Sequence, residues 1–395
     1  MYILTTMKNR STYIFIINAF LLLFLSISCT DTKQEGKETI LDWRNLDLTK
    51  EWQTGKTNVE GIDPEKLDEG IAVAKSLTGF YTIAVVYKGR LVTEEYAIGD
   101  ISTQYYVWSI TKSVLSALVG IAIDKGLMAD EYQSFSSYYS NVTDSLKGKI
   151  TVAELLTMSS GIPDDITYMS AVYPLQFIMD KELLYPSGTY WNYTSAGTHV
   201  LSYILTASTQ ESAKSFADTH LFPKLGITDF TWDQDAYGIS NGGFGLSLRI
   251  RDMLKFGQLF LQKGKSAGQE IISSSWINKS TTMLISFDDS QSWGYGYLWW
   301  TDKVNGVNIY NALGYAGQFI IVVPSKALVI AATSNSIPVD GYVNDLYDNI
   351  MDKIGVVLLL VLQIISMESP SVTIHLWQLE IVERLLNQLT MEKIG

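Results

Sequence analysis

Apolar and polar positions alternate with two different periods along this chain, and the switches between them divide it into elements. Asp63-Pro64-Glu65 followed by Leu67, Ile71, Ala74 and Leu77 has a capping acid, a proline in the first turn and apolar residues at helical spacing, so a helix is predicted there. Tyr81 to Tyr87 and Arg90 to Ala97 are β-rich runs on either side of Lys88-Gly89, the pattern of a hairpin with glycine second in a two-residue turn. A second hairpin is predicted from Gly317 to Val323, a turn at Pro324-Ser325-Lys326, and Leu328 to Thr333. Between the hairpins, helical spacing recurs over Ser113 to Asp124, Val152 to Met158, Ala196 to Thr206, Ser212 to Leu221 and Leu248 to Gln262. Strands at both ends with helices between them predict an α+β fold: an antiparallel sheet completed by distant parts of the chain, flanked by helices, with an inserted helical subdomain.

The two ends depart from this pattern. Lys8 and Arg10 precede an apolar run from Tyr13 to Leu25, and Ser26-Ile27-Ser28 leads into Cys29, the single cysteine of the chain. Residues 1–29 therefore read as a bacterial lipoprotein signal with Cys29 as the lipidation site; an ordinary signal peptide or an uncleaved anchor would share the charged start and the apolar run. Residues 30–61 then serve as tether and lead-in, 62–354 as the folded domain, and 355–395 as an atypical tail. Val356 to Ile365 is apolar but short of the ~20 residues that span a bilayer, and Leu376, Leu379, Val382, Leu385, Leu386 and Leu389 fit an amphipathic helix. The localisation expected is the cell envelope, with the protein held at the membrane by a lipid anchor.

Charge narrows the partners. The formal net charge of −12 makes nucleic acid a poor one, because a phosphate backbone attracts basic surfaces. Three histidines and one cysteine are few for a metal site, and neither metal nor cofactor is expected. The chemistry must then come from hydroxyls, amines and carboxylates. Ser109-Ile110-Thr111-Lys112 opens the helical run that stops at Lys125-Gly126, which sets Ser109 at a helix N-terminus and Lys112 one turn inward on the same face. A serine hydroxyl is a weak nucleophile until a base takes its proton, and a lysine with a depressed pKa can be that base. The alternative for this spacing is a capping serine followed by a surface lysine.

Other chemistries find less support. No H-E-x-x-H is present. His199 lies inside a helical pattern and reads as a packed or partly exposed helix residue, His220 precedes Leu221-Phe222-Pro223, and His375 falls in the tail. Asp164 and Asp165 read as solvating a loop rather than as a glycosidase pair. Trp293, Tyr295, Tyr297, Trp299 and Trp300 read as core or cleft wall, with strand-like alternation.

Two later segments follow Ser109 and Lys112 in order: Tyr190-Trp191-Asn192-Tyr193-Thr194-Ser195-Ala196-Gly197 before a helix, and Gly314-Tyr315-Ala316-Gly317-Gln318 at the last hairpin. Together they resemble the three signatures of the penicillin-recognising serine hydrolases, the group nearest to class C β-lactamases, related esterases and 6-aminohexanoate-dimer hydrolases. Thr151 to Gly161 and Gly242-Gly243-Phe244-Gly245-Leu246 with Arg251-Asp252-Met253 extend the resemblance over Ile62 to Ile354. It implies a β-lactamase/DD-peptidase-like fold and a serine hydrolase acting on an ester or amide of a small-molecule or peptide-like substrate. Ser109 would be acylated, Lys112 and Tyr193 would move its proton, and either could be the base. The backbone N–H groups of Ser109 and Gln318 would form the oxyanion hole, Ser195 and Tyr315 would face substrate, and Gly317 would let that edge strand approach it. Ser195 stands where the family usually has asparagine, and Tyr315 where β-lactamases carry lysine and many relatives histidine. These departures favour an esterase or amidase over a β-lactamase or D-alanyl peptidase; an acyl-binding envelope module without turnover is the expectation from another class.

Overall fold

The computed structural model describes residues 41–335 except 56–63, 77–78, 141–143, 288, 290, 292 and 305. Cys29 with its signal segment, most of the tether, Leu77, the end of the predicted domain and the tail with His375 lie outside the described residues. Among the described residues, no helix is long and apolar enough to cross a membrane.

Helix α1 (Pro64–Ser76) leads into β1 (Phe80–Tyr87) and β2 (Arg90–Tyr96), the predicted hairpin. Its turn residues Lys88 and Gly89 have φ of 47° and 79°, the double left-handed conformation that matches the twist of the flanking strands. After β3 (Gln104–Tyr106) come helices α2 (Ile110–Asp124), α3 (Val152–Leu156), α4 (Pro174–Met179), α5 (Ser195–Thr209) and α6 (Ala213–His220). The chain continues through β4 (Thr231–Trp232), β5 (Leu246–Arg249), α7 (Ile250–Leu261), the short pair β6 (Lys265–Ser266) and β7 (Gln269–Glu270), and α8 (Ser274–Ser280). It returns to the sheet with β8 (Ile285–Ser286), β9 (Trp293–Tyr295), β10 (Trp300–Val304), β11 (Val307–Gly314), β12 (Gln318–Val323) and β13 (Leu328–Ser334).

The main sheet has eight strands in the order β2-β1-β13-β12-β11-β10-β9-β8, each pair antiparallel. The first hairpin is thus completed by the last strand, as the strands at both ends of the sequence predicted. Helix α7 packs on β13, β12 and β1. Gly257 makes that approach possible, because a Cβ there would stand 2.6 Å from Val329 Cγ1 and 2.8 Å from Ile320 Cγ2. Helix α2 is buried from Ile110 to Ala122, between the sheet strands β11 and β12 and the helices α5, α6 and α8. A helix covered on all sides cannot be amphipathic, which explains its continuous apolar character.

One predicted boundary is corrected. The helical spacing from Leu248 begins inside β5, where Leu246–Arg249 pairs with β3 and β4, so the helix starts at Ile250. There the Asp252 carboxylate accepts the Arg249 backbone N–H at 3.4 Å and its side-chain Nε–H at 2.9 Å, closing the first turn. The aromatic run likewise forms two strands, β9 and β10, with a turn between them in which Leu298 has φ 59°.

Candidate active site

Ser109 caps α2 from a turn that long-range contacts hold in place. Val107 donates its N–H to Leu246 O at 2.9 Å, and Trp108 has φ 49°, a left-handed conformation uncommon for a bulky residue. The Trp108 carbonyl accepts the Thr111 hydroxyl at 2.6 Å, and Thr111 Oγ1 in turn accepts the Leu246 N–H at 3.3 Å. The Ser109 side chain makes no capping bond, so its hydroxyl is left for another partner.

That partner is Lys112, wholly buried one helical turn further on. Its Nζ lies 3.0 Å from Ser109 Oγ, 3.1 Å from Ser195 Oγ and 2.7 Å from the Gly243 carbonyl oxygen. It also stands 4.7 Å from the centre of the Tyr193 ring. Burial disfavours the ammonium and lowers its pKa from 10.5 to about 7, against a smaller opposing pull from the Asp164 carboxylate. Near neutral pH the amine beside Ser109 is therefore partly uncharged.

Tyr193 comes from the segment before α5, its ring stacked on Trp300 at 6.0 Å. Burial pushes its phenol well above the ordinary range, and a hydrogen bond with Ser109 offsets part of that rise. Ser109, Ser195 and Tyr193 thus meet around the Lys112 amine. Asp164 does more than solvate a loop: its Oδ1 accepts the N–H groups of Ser195 at 2.7 Å and Ala196 at 3.3 Å. Those are first-turn donors of α5 that no helix carbonyl can satisfy, and Thr194 Oγ1 takes a third, from Gly197, at 3.0 Å. Asp165 remains a loop acid, paired with Lys181 at 2.7 Å.

The Gly314–Gln318 turn closes the other side. Tyr315 sets its ring edge-on to Trp108, with centroids 5.2 Å apart. Ala316 and Gly317 have φ of 60° and 88°, a tight left-handed turn. Gly314 allows a close approach within the protein rather than to substrate, since a Cβ there would fall 2.4 Å from Val107 O. The strand is not an edge either, since β11 and β12 lie in the interior of the sheet. Gln318 clamps the turn by donating Nε2–H to Tyr315 O at 3.0 Å and to Ser334 O at 2.6 Å, while the Ser334 hydroxyl donates to the Ala316 carbonyl.

Sequence reasoning missed Asp164, Asn241 and Gly243. The Asn241 side-chain oxygen accepts the Gly243 N–H at 2.9 Å and the Tyr168 hydroxyl at 2.8 Å, orienting the segment whose carbonyl meets Lys112. A pair of glycines was the available signal, because a Cβ on Gly243 would stand 2.6 Å from Ser195 Cβ. Of the two expectations for His199, packed or partly exposed, the first holds: it is fully buried. Among the described residues, no group of three or more His, Cys, Asp or Glu side chains is placed to hold a metal ion.

Comparison with known proteins bears on the same constellation. The sequence is 25% identical over 285 residues to the 6-aminohexanoate-dimer hydrolase of Paenarthrobacter ureafaciens, covering 64% of this chain and 71% of that one. Among solved structures, the octameric penicillin-binding protein homologue from Pyrococcus abyssi superimposes with a TM-score of 0.59 at 19% identity, over 75% of this chain and 78% of that one. EstCE1, described as a hydrolase with promiscuous acyltransferase activity, does so with a TM-score of 0.59 at 14% identity, over 73% and 98%. These likenesses share the α+β architecture, and the profile of one family spans both the Ser109 helix and the final hairpin. Matching at residues 72–353, it shows that this chain belongs to the Beta-lactamase family of hydrolases.

Proposed function

We propose that the protein is a serine hydrolase that cleaves ester or amide bonds through an acyl-enzyme on Ser109. The observation that carries this reading is the buried Lys112 amine 3.0 Å from Ser109 Oγ with its remaining contacts already assigned. The Gly243 carbonyl can only accept, so it takes one N–H of the neutral amine, and the Ser195 hydroxyl takes the second. The lone pair is then left for the Ser109 proton. Lys112 acts as the base as Ser109 Oγ attacks the substrate carbonyl. Tyr193, kept protonated by its raised pKa, gives its phenolic proton to the leaving group and takes back the Ser109 proton from the Lys112 ammonium. The Ser109 and Gln318 backbone N–H groups receive the developing oxyanion, and water then releases the acyl group by the reverse transfers.

Ser195 and Tyr315 support a preference for simple esters. Lys112 already engages the Ser195 hydroxyl, and Tyr315 offers a phenol where an ammonium would attract a substrate carboxylate at ~1.5–3 kcal/mol. Intact mass spectrometry with a fluorophosphonate probe, followed by p-nitrophenyl esters and a cephalosporin, tests both parts. Wild-type protein is expected to label once and Ser109→Ala not at all, with Lys112→Ala and Tyr193→Phe slowed at least ~100-fold. Short-chain esters are expected to turn over with a higher kcat/KM than the cephalosporin. Labelling of folded Ser109→Ala refutes the nucleophile, acylation that never reverses refutes turnover, and faster cephalosporin cleavage refutes the ester preference.

A further inference from the structure

His199 takes no part in the proton transfers proposed above, yet it is tied to their geometry. It lies fully buried on α5, one helical turn beyond Ser195, with Nε2 3.2 Å from Asp235 Oδ2. Its Nδ1 accepts the Gly242 N–H at 3.3 Å. A backbone amide can only donate, so Nδ1 carries no proton and the ring hydrogen sits on Nε2, toward Asp235. Burial, which outweighs the pull of Asp235, lowers the imidazole pKa and favours this neutral ring.

The next residue in the chain, Gly243, presents its carbonyl to Lys112 at 2.7 Å. A second chain of contacts reaches the same segment from the other face of the ring. Tyr168 stacks on His199 with centroids 4.6 Å apart and donates its hydroxyl to Asn241 Oδ1, which also holds the Gly243 N–H. There is no slack in the packing: a Cβ on Gly242 would fall 2.0 Å from Thr198 O.

We propose that Asp235 and His199 are positioning residues for Lys112: Asp235 fixes the imidazole tautomer, the imidazole fixes the Gly242 amide, and the Gly243 carbonyl is thereby held on the lysine amine. The inference rests on the reading in which Lys112 activates Ser109. It extends that reading to a buried pair that touches neither substrate nor nucleophile.

Asp235→Asn tests the tautomer, with Tyr203→Phe as the control, because Asp235 Oδ2 also accepts the Tyr203 hydroxyl at 2.5 Å and loss of that bond alone is expected to leave the acylation rate and its pH profile unchanged. Asp235 Oδ1 accepts the N–H groups of Tyr237 at 2.8 Å and Ile239 at 3.0 Å, so the amide oxygen of the variant must occupy that position. Its NH2 then faces Nε2, which must become the acceptor and move the ring proton to Nδ1, against the Gly242 N–H. Phosphonylation of Ser109 by a fluorophosphonate, which expels fluoride, and acylation by a p-nitrophenyl ester are both expected to slow by ~10- to 100-fold in the full chain, the range for a small misplacement of a reacting group. The acid limb of the pH–acylation profile is expected to move to lower pH, because the Gly243 carbonyl favours the Lys112 ammonium. Asp164, the facing carboxylate, is untouched by the substitution.

His199→Asn, whose side-chain oxygen falls near Nδ1 and can still accept from Gly242, is expected to retain more activity than His199→Gln. This pair decides the question if Asp235→Asn does not fold. Wild-type rate and limb position in folded Asp235→Asn overturn the proposal, as does a slower plateau with an unmoved limb, or equal losses in the two His199 variants. Labelling of Ser109→Ala would instead overturn the acyl-enzyme reading, so the two failures are distinct.

Discussion

Replacing Lys112 by methionine removes a buried amine and keeps a side chain of similar length, and its effect on stability is expected to change sign with pH. The amine has a pKa of about 7 in the folded protein against 10.5 when solvated. Below pH 7 both folded and unfolded chains carry the proton, and the full cost of burying it is present. At ~1.36 kcal/mol per pH unit that cost is ~5 kcal/mol. Between pH 7 and 10.5 the unfolded chain binds more protons than the folded one, so this group's contribution to stability rises with pH and the cost vanishes near the upper limit. Against this, methionine leaves the Gly243 carbonyl and the Ser195 hydroxyl without their amine partner, a loss of ~1–3 kcal/mol. At pH 6 the variant should therefore be the more stable by ~2–4 kcal/mol, raising the thermal midpoint by roughly 5–10 °C. At pH 10 less than ~1 kcal/mol of the cost remains and the variant should be the less stable, with the crossover near pH 9. Thermal unfolding of both proteins at pH 6, 8 and 10 reads the difference, in which other titrating groups common to the two cancel. A difference that does not vary with pH, or a methionine variant less stable at pH 6, would refute the reasoning.

Two further substitutions test other parts of the molecule. Gly120→Ala sets a Cβ 2.2 Å from Trp276 Cδ1, in a ring that donates its Nε1–H to Ser116 O at 3.0 Å, and is expected to destabilise by ~1–3 kcal/mol; an unchanged urea midpoint would show that α2 does not pack on that indole. The charged start, apolar run and lone Cys29 lead us to propose lipid anchoring, so expression in a suitable bacterium should give membrane-associated protein with a diacylglyceryl group on Cys29 that Cys29→Ala lacks. Soluble mature protein with an unmodified cysteine would reject it.

Local spacing was enough for Ser109 and Lys112. An interval of three residues on a helix brings two side chains together wherever that helix goes, and the pair meets at 3.0 Å. The same holds for the first hairpin, where Lys88-Gly89 dictates a turn whose twist suits its own strands. The place of His199 on a helix was legible for a related reason, since that helix carries apolar neighbours at the right period, whereas its full burial comes from what packs against it. The start of α7 was misread because Leu246–Arg249 has no local preference strong enough to reveal a strand; pairing with β3 and β4, far away in sequence, makes it one.

What the tertiary structure alone decided is the environment that turns a hydroxyl and an amine into a candidate reactive pair. The Gly243 carbonyl lies 131 residues from Lys112, and Ser195 lies 83 away. Asp164 reaches the N-terminus of α5 across 31 residues of chain that no periodicity connects. Sequence spacing can report which side chains share a helix face, but the lowered pKa of Lys112 comes from desolvation. Desolvation depends on everything that packs around the amine, and that is settled only when the sheet and the helices close over it.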